Sequence, residues 1–479
     1  MKICIIAEGS YPYITGGVSS WIHSMVRQMP ENEFIIYAIG AQSKQKGKFK
    51  YVLPDNVIEI KEVFLDAYLE EEGEWGRHFK LAEKQTTALR SLLGGESEVK
   101  WEDIFDLFRS SRFKSAAEFL SSKDYFDVVE GLCRSKYSLV PFTEMFWTIR
   151  SMIMPLLLTI RHDIPEADVY HSVSTGYAGV VGTLAKYIHD KPLILTEHGI
   201  YSREREEEII KADWVKGYFK DLWIEYFYTL SGCIYNAADQ ITTLFNRNKE
   251  IQVELGCEAE KIRIIPNGVH TTDISTFPSR PADGKVKIGA VVRIVPIKDI
   301  KTMLQSFAIV KREVPQAELI IMGPIEEDDE YYVECLQMVD SLELQDVVFT
   351  GEVRVMDYLW QMDILLLTSI SEGQPLAVLE GMSCGKPFVT TNVGSCKELL
   401  YGLNDDIGAA GLVAPVMHYE VLAESIIKLC RDEALREEMG HNALQRVSRH
   451  YKYEDFINSY KKLYASLGEL KVWPESALN

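Results

Sequence analysis

Short apolar runs recur along the chain, with polar and amphipathic stretches between them. In the first half they are KICIIA, FIIYAIG, VYHSV, LILTEHG and QITTLF; in the second, KIGAVV, AELIIMG, VVFTG, DILLLTS and KPFVTT. Unbroken apolar runs of about four to eight residues suit strands buried on both faces, as in a parallel sheet. The stretches between them have helical periodicity, which predicts βαβ units and two Rossmann-like, doubly wound α/β domains. Periodicity stops in TTDISTFPSRPADGK, residues 271–285, a Pro-, Ser-, Thr- and Asp-rich segment that is the expected junction. Residues 1–275 then form one domain and 276–445 the second. An acidic, aromatic and mostly helical block around 55–146 reads as an insertion in the first. Residues 446–479 read as a C-terminal helix, with Tyr453, Phe456, Tyr460 and Leu463 on one face.

Composition narrows the function. The 479 residues suffice for two or three full cores. The net charge of −20 speaks against nucleic acid, or an anionic membrane at large, as the main partner. An anionic substrate would need a local positive pocket. None of the eight cysteines forms a C-x-x-C pair or a zinc-type spacing, so buried thiols in a reducing compartment are expected. The first residues look like a buried strand rather than a signal peptide, and the apolar stretch 152–160 is too short to span a bilayer. A cytoplasmic location follows as the expectation.

Two doubly wound halves facing a central cleft place a ligand at the C-terminal ends of strands, so the loops there hold the candidate chemistry. In EGSYPYITGGVSSW, Gly16 and Gly17 precede a helix, where backbone N–H groups can meet an anion; a plain turn needing positive φ explains them as well. In LILTEHGIYSRERE, His198 stands where a strand meets a loop. It suits a sugar hydroxyl or a developing charge, or a structural role. Glu197 is a weaker candidate. In VVRIVPIKDIKTML, Arg293 and Lys298 flank a turn and could converge on a diphosphate, or be exposed loop cations.

In SEGQPLAVLEGMSCGKP, Glu372 stands at a helix mouth beside the N–H groups of Gly373, Gln374 and the first turn, with Pro375 and Leu376 following. Glu380 lies about two turns further on, among apolar neighbours. A buried carboxylate there needs donors, which ribose hydroxyls or an internal salt bridge would supply.

Together these residues resemble retaining family-4 glycosyltransferases of the GT-B fold. The resemblance rests on Glu372-x7-Glu380, Arg293-x4-Lys298, PNGV at 266–269 and the Gly16-Gly17 loop, in family order. The first loop, TEHGIYSRERE and RIVPIKDIKT are further similar to the members serving Pel-type exopolysaccharide systems. The resemblance implies a UDP-hexose donor, UDP-glucose being usual, and a growing glycan acceptor. Arg293 and Lys298 would neutralise the departing diphosphate, with Gly17 and the N–H groups after Glu372 completing its cradle. Glu380 would hold ribose, Glu372 the donor sugar, and His198 the sugar and its oxocarbenium-like charge. No D-x-D follows an apolar strand, so no metal or other cofactor is expected. The C-terminal helix would cross back to the N-terminal domain, and docking to a membrane-bound polysaccharide synthase complex is left open.

The chain departs from the family pattern at Val292 and Asp299, where glycines are usual, and at His270, where Asp is usual. Asp299 is a candidate helix cap. Two rival readings keep the architecture: a UDP-sugar 2-epimerase, and a catalytically inactive nucleotide-sugar-binding scaffold subunit.

Overall fold

The computed structural model describes residues 1–70, 75–95, 98–277 and 283–469. Contacts divide the chain into two units. The first holds Met1–Thr243, Asn248–Ile264 and the chain from Lys461 onward; the second holds Leu244–Arg247 and Ile265–Tyr460. Residues 278–282 of the expected junction and 470–479 of the expected C-terminal helix lie outside the described residues.

The first unit is built on a seven-stranded sheet in the order β3-β2-β1-β4-β5-β6-β7. Its strands are β1 (Lys2–Glu8), β2 (Glu33–Gly40), β3 (Val57–Phe64), β4 (Val169–Ser172), β5 (Leu193–Glu197), β6 (Gln240–Thr243) and β7 (Ile262–Ile264). All pairs are parallel. Ile3 to Ala7 are all buried, as a central strand covered on both faces requires. The chain reverses direction across the sheet between β1 and β4, which makes the loops after these two strands the natural crevice of this unit.

The second unit repeats the plan with six strands in the order β10-β9-β8-β11-β12-β13. They are β8 (Val286–Val291), β9 (Ala317–Met322), β10 (Val347–Phe349), β11 (Ile364–Leu367), β12 (Phe388–Thr391) and β13 (Gly411–Ala414). These pairs are parallel too. Here the reversal falls between β8 and β11. Both sheets are Rossmann-like, as the apolar runs predict.

The mostly helical block around 55–146 also contains a strand, β3. That strand borders only β2, so one edge needs no partner and its sequence can carry Glu59, Lys61 and Glu62. The helices of the block pack an aromatic cluster that includes Phe108, Phe113, Phe119 and Tyr125, and the last of them, Phe142–Arg161, runs past residue 146 and buries the apolar stretch 152–160. One expectation needs correction: the final helix does not begin near residue 446. Glu433–His450 is one helix and Tyr453–Glu469 another. The break arises because the Tyr451 carbonyl accepts from Val269 N (2.9 Å) and Tyr453 N donates to the Val269 carbonyl (3.0 Å), diverting backbone groups from the helical ladder.

All eight cysteines are buried and free. Among the described residues no helix is long and apolar enough to cross a membrane.

Arg446 is a charge that periodicity does not reveal. It is 1% exposed. Its Nε and Nη2 grip Asp405 Oδ2 and Oδ1 (2.8 and 3.0 Å), and its remaining donors reach the carbonyls of Leu399, Leu400, Ile407 and Gly408. The guanidinium hydrogen bonds hold the Asp405 carboxyl below the usual carboxylate range. Every donor is satisfied, so removing one partner strands a buried charge and several carbonyls. Asp405→Ala should destabilise the second unit by about 3–5 kcal/mol, read as a lowered urea midpoint for that unit's transition.

Candidate functional site

In the second unit the two loops at the reversal carry the predicted residues. The loop after β8 holds Arg293 and Lys298; the loop after β11 holds Glu372, Gly373 and Gln374. Lys298 Nζ forms an ion pair with Glu372 Oε1, which also accepts from Ser369 Oγ at 2.6 Å. Both side chains are largely buried, at 16% and 11% exposure. Partial desolvation strengthens such a pair and narrows its geometry. Thr368 clamps the turn: its Oγ1 donates to the carbonyls of Lys298 (2.9 Å) and Asp299 (3.1 Å).

Arg293 does not join this pair. Its Nη1 bonds Glu327 Oε2 at 2.7 Å, in the loop after β9, with 54% of the Arg293 side chain exposed. Each predicted diphosphate cation therefore has its own carboxylate partner.

Two glycines let these loops approach. Gly323 has φ +152°, and a Cβ there would sit 2.0 Å from the Val292 carbonyl oxygen, beside Arg293. Gly394 has φ +50°, and a Cβ would sit 2.1 Å from the Gly373 oxygen, while Ser395 N donates to that same oxygen (3.0 Å). No side chain fits at either position. Asp299 also has positive φ, +47°, and its Oδ1 accepts from Thr302 N (3.2 Å), capping the helix Ile300–Glu313. Aspartate tolerates the left-handed region and supplies the cap, so it replaces glycine here.

Gln374 is buried. Its Oε1 accepts from Asn267 N (2.6 Å), tying this loop to PNGV, and its buried Nε2 has no partner. Pro375 immediately precedes the helix Leu376–Ser383, which begins later than the spacing suggested, so Glu380 is about one turn inside it. Leu376 is half-buried.

Glu380 corrects the sequence reading. It faces solvent, while Val378, Leu379 and Met382 form the buried side of this helix. A helix sorts neighbours onto different faces, so apolar flanks do not imply burial. Protein crowds the carboxyl nonetheless, and desolvation pushes its pKa up. His270 is exposed, with its ring 4.2 Å from that of Tyr453.

In the first unit, Gly16 and Gly17 open the helix Gly17–Arg27. Gly16 has φ 167°, ordinary extended backbone, and a Cβ on either residue meets nothing within 4 Å. The turn requiring positive φ is therefore excluded, and both glycines are exposed.

His198 follows β5. Its ring meets Trp21 edge-on at 4.9 Å, and its buried Nε2 has no partner. Burial pushes its pKa down to about 4, so the ring is neutral near pH 7 and offers a hydrogen bond rather than a charge. Beneath it, His171 lies 2.7 Å from both the Tyr464 hydroxyl and Thr196 Oγ1.

Two carboxylates brace this loop, Glu197 buried and Glu8 half-buried. Glu197 accepts from Tyr235 OH (2.7 Å), Gln252 Nε2 (2.8 Å) and Tyr201 N (3.1 Å). Glu8, at the end of β1, accepts from Ala178 N (2.9 Å) and Tyr201 OH (3.2 Å). Tyr201 thus bridges both acids across the His198 loop. Sequence reasoning missed Glu8, Glu327 and Thr368. For Glu8 there was a signal: it ends the strand beside the reversal. Among the described residues, no three His, Cys, Asp or Glu side chains gather as a metal-ligating group.

Burial pushes the Glu197 carboxyl up to about 7 from its ordinary 4.5, outweighing its hydrogen bonds. The folded chain then holds this proton where the unfolded chain has released it. The stability this adds is full below about pH 4.5 and lost as pH rises to about 7. Over that window the wild type should lose stability relative to Glu197→Gln, by up to about 1.4 kcal/mol per pH unit. Urea midpoints at several pH values check this, and parallel curves for the two proteins would refute it.

Residues 1–260 match the family described as Domain of unknown function (DUF3492), and residues 272–446 match Glycosyl transferases group 1. The chain is similar to the N-acetyl-alpha-D-glucosaminyl L-malate synthase of Bacillus anthracis, 31% identical over 170 residues, 35% of this chain and 42% of that protein. It is also similar to the capsular polysaccharide biosynthesis glycosyltransferase CapM of Staphylococcus aureus, 23% identical over 337 residues, 67% of this chain and 81% of that one. In structure it resembles HepE of Anabaena, solved with UDP and glucose, at a TM-score of 0.59 and 15% identity, covering 97% of this chain and 100% of that one; this likeness speaks to the GT-B fold alone. The chain belongs to the DUF3492 family and carries, over residues 272–446, a group 1 glycosyltransferase domain of GT-B type.

Proposed function

We propose that the protein is a retaining, metal-independent hexosyltransferase that moves a hexose from a UDP-sugar, UDP-glucose or a close relative, to a growing exopolysaccharide, as PelF-type enzymes do. The observation that carries the reading is the Lys298–Glu372 pair at the reversal of the second sheet, inside the residues that match the transferase family. HepE, which shares the fold, was solved with UDP and glucose, and a donor of that class is what we propose for this chain. CapM, a capsular polysaccharide enzyme, supports the acceptor class.

The residues take these roles. Arg293 and Lys298 neutralise the diphosphate as its charge grows, which is the work a divalent metal does in other transferases. The N–H groups of Gly373 and of the first turn after Pro375 add a helix N-terminus to that cradle, and Gly16 and Gly17 admit the phosphates against bare backbone. Lys298 holds Glu372 toward the sugar hydroxyls. Glu380, open to solvent, accepts from ribose. Neutral His198 binds a sugar hydroxyl. The bond from the anomeric carbon to the phosphate oxygen breaks, a bond to the acceptor oxygen forms on the same face, and the acceptor proton passes to the departing phosphate. Docking to a membrane-bound synthase complex in the cytoplasm belongs to the same proposal.

Calorimetric titration with UDP-, GDP- and ADP-sugars in EDTA tests the reading. A UDP-hexose should bind without metal and lose affinity in Glu380→Ala; equal binding by that variant, or no binding of any nucleotide sugar, refutes the site. Adding acceptor then separates transfer from epimerisation and from binding without turnover.

Arg293→Ala and Lys298→Ala should each lower turnover by about 10²–10³. Glu327→Gln should act in the opposite sense on binding. An exposed pair holds Arg293 by about 0.2–1 kcal/mol, so freeing it should tighten UDP up to about five-fold. In the Arg293→Ala background the same change should do nothing.

A further inference from the structure

Between Glu33 and Asp55 there is no acidic residue, and the segment carries Lys44, Lys46, Lys48 and Lys50 in a chain of net charge −20. All four lysines are exposed, and among the described residues none has a carboxylate at ion-pair distance. Several other lysines of this chain are paired: Lys84 with Asp103 (2.8 Å), Lys186 with Asp239 (2.6 Å), Lys311 with Asp346 (2.6 Å) and Lys461 with Glu31 (3.1 Å).

The acids that face the lysine loop are engaged elsewhere. Glu62 accepts from Gly47 N (2.9 Å) and Tyr13 OH (2.5 Å), and Asp66 accepts from Ser43 N (2.9 Å). They fix the loop backbone and leave the ammonium groups free. The loop is also packed, through Lys50 N to the Pro12 carbonyl (2.9 Å) and Tyr51 against Tyr11 (5.1 Å between rings), on the segment leading to Gly16. Two aliphatic side chains stand out of these joined loops, Val52 at 91% exposure and Ile14 at 47%.

We infer that this surface docks the first unit onto an anionic lipid bilayer, the lysines lying among the headgroups while Val52 and Ile14 enter the interface. Three features select lipid over a soluble phosphate. The cations are lysines, hydrated point charges, with no arginine fork for bidentate recognition. They lie on an open loop. Exposed aliphatic groups beside lysines are what an interfacial segment needs and a phosphate site does not. The net charge repels such a surface elsewhere on the chain, so this loop also sets the orientation.

Docking does not depend on the proposed reaction. Its use does: the loop follows β2 at the same sheet edge as Glu8 and His198, so it would hold that edge beside a membrane-held glycan acceptor.

Co-sedimentation of the full chain with vesicles tests the inference. The wild type should bind phosphatidylglycerol–phosphatidylcholine vesicles at low salt, bind pure phosphatidylcholine poorly, and be released at about 1 M salt, where the Debye length is about 3 Å. Each Lys→Gln change should weaken partitioning about five-fold. Lys44→Gln, Lys46→Gln, Lys48→Gln and Lys50→Gln combined should abolish it, with melting temperature and UDP binding unchanged. The four Lys→Arg changes should retain binding, and Val52→Ser should weaken it at constant charge. Equal binding to both vesicle types, or binding that survives the fourfold glutamine variant, overturns the proposal. A chain that binds vesicles but no nucleotide sugar would refute the proposed transfer and leave the docking standing.

Discussion

The ion pair between Lys298 and Glu372 is the constraint on which the second unit's working edge depends. It joins the loops after β8 and β11, the two strands between which the chain reverses. A doubly wound sheet spreads its loops apart at that point and leaves a crevice. A pair of largely buried charges can span it only if the surrounding backbone fixes both ends. Thr368 does so for the turn at Lys298, and Ser369 for the carboxylate. Gly323 and Gly394 remove the side chains that would hold the loops apart. Loss of either charge would strand the other against these same fixed groups, which is why the pair is a geometric device before it is a source of stability.

The first unit meets the corresponding problem with hydrogen bonds. His198, His171, Glu197 and Glu8 crowd the ends of β1, β4 and β5, where full charges would be costly. Desolvation lowers both histidine pKa values and raises both carboxyl values, and hydroxyl, amide and backbone N–H donors bond the two carboxyls. Tyr201 shows the economy of this: its N–H serves Glu197 and its hydroxyl serves Glu8. The two units therefore present different chemistry on the same fold, an ion pair across two loops in one and a buried hydrogen-bond network of histidines, carboxylates and hydroxyls in the other.

Much of the architecture was legible in the sequence because a strand buried on both faces must be apolar throughout, and ten such runs stand out. The strands that escaped, β3, β7 and β13, lie at or next to a sheet edge, where one side is relieved of that demand. Lys298 and Glu372 were legible as types and positions, but their mutual pairing was not, since neither residue's spacing encodes the fold of two loops against each other. Arg293 was read as its companion, yet it bonds Glu327, thirty-four residues away on a neighbouring loop. Glu380 was misread because a linear list of apolar neighbours hides the helical face each one occupies. Asp299 was read correctly as a cap, because capping is a local bond that spacing does encode.

The distribution of charge joins these points. In the second unit both predicted phosphate cations hold carboxylates, so under the proposed reaction Arg293 exchanges Glu327 for the anionic ligand while Lys298 keeps Glu372. That suits a substrate that must leave as readily as it arrives, since the partner carboxylate returns as the anion departs. In the first unit four lysines are left without such partners while nearby acids bond backbone N–H groups. An unpaired cluster keeps its full attraction for any large anionic surface, and screening by salt is its main limit. Pairing and non-pairing of the same residue types thus separate the two proposed tasks within one acidic chain: reversible exchange of a small anion, and adhesion to an extended one.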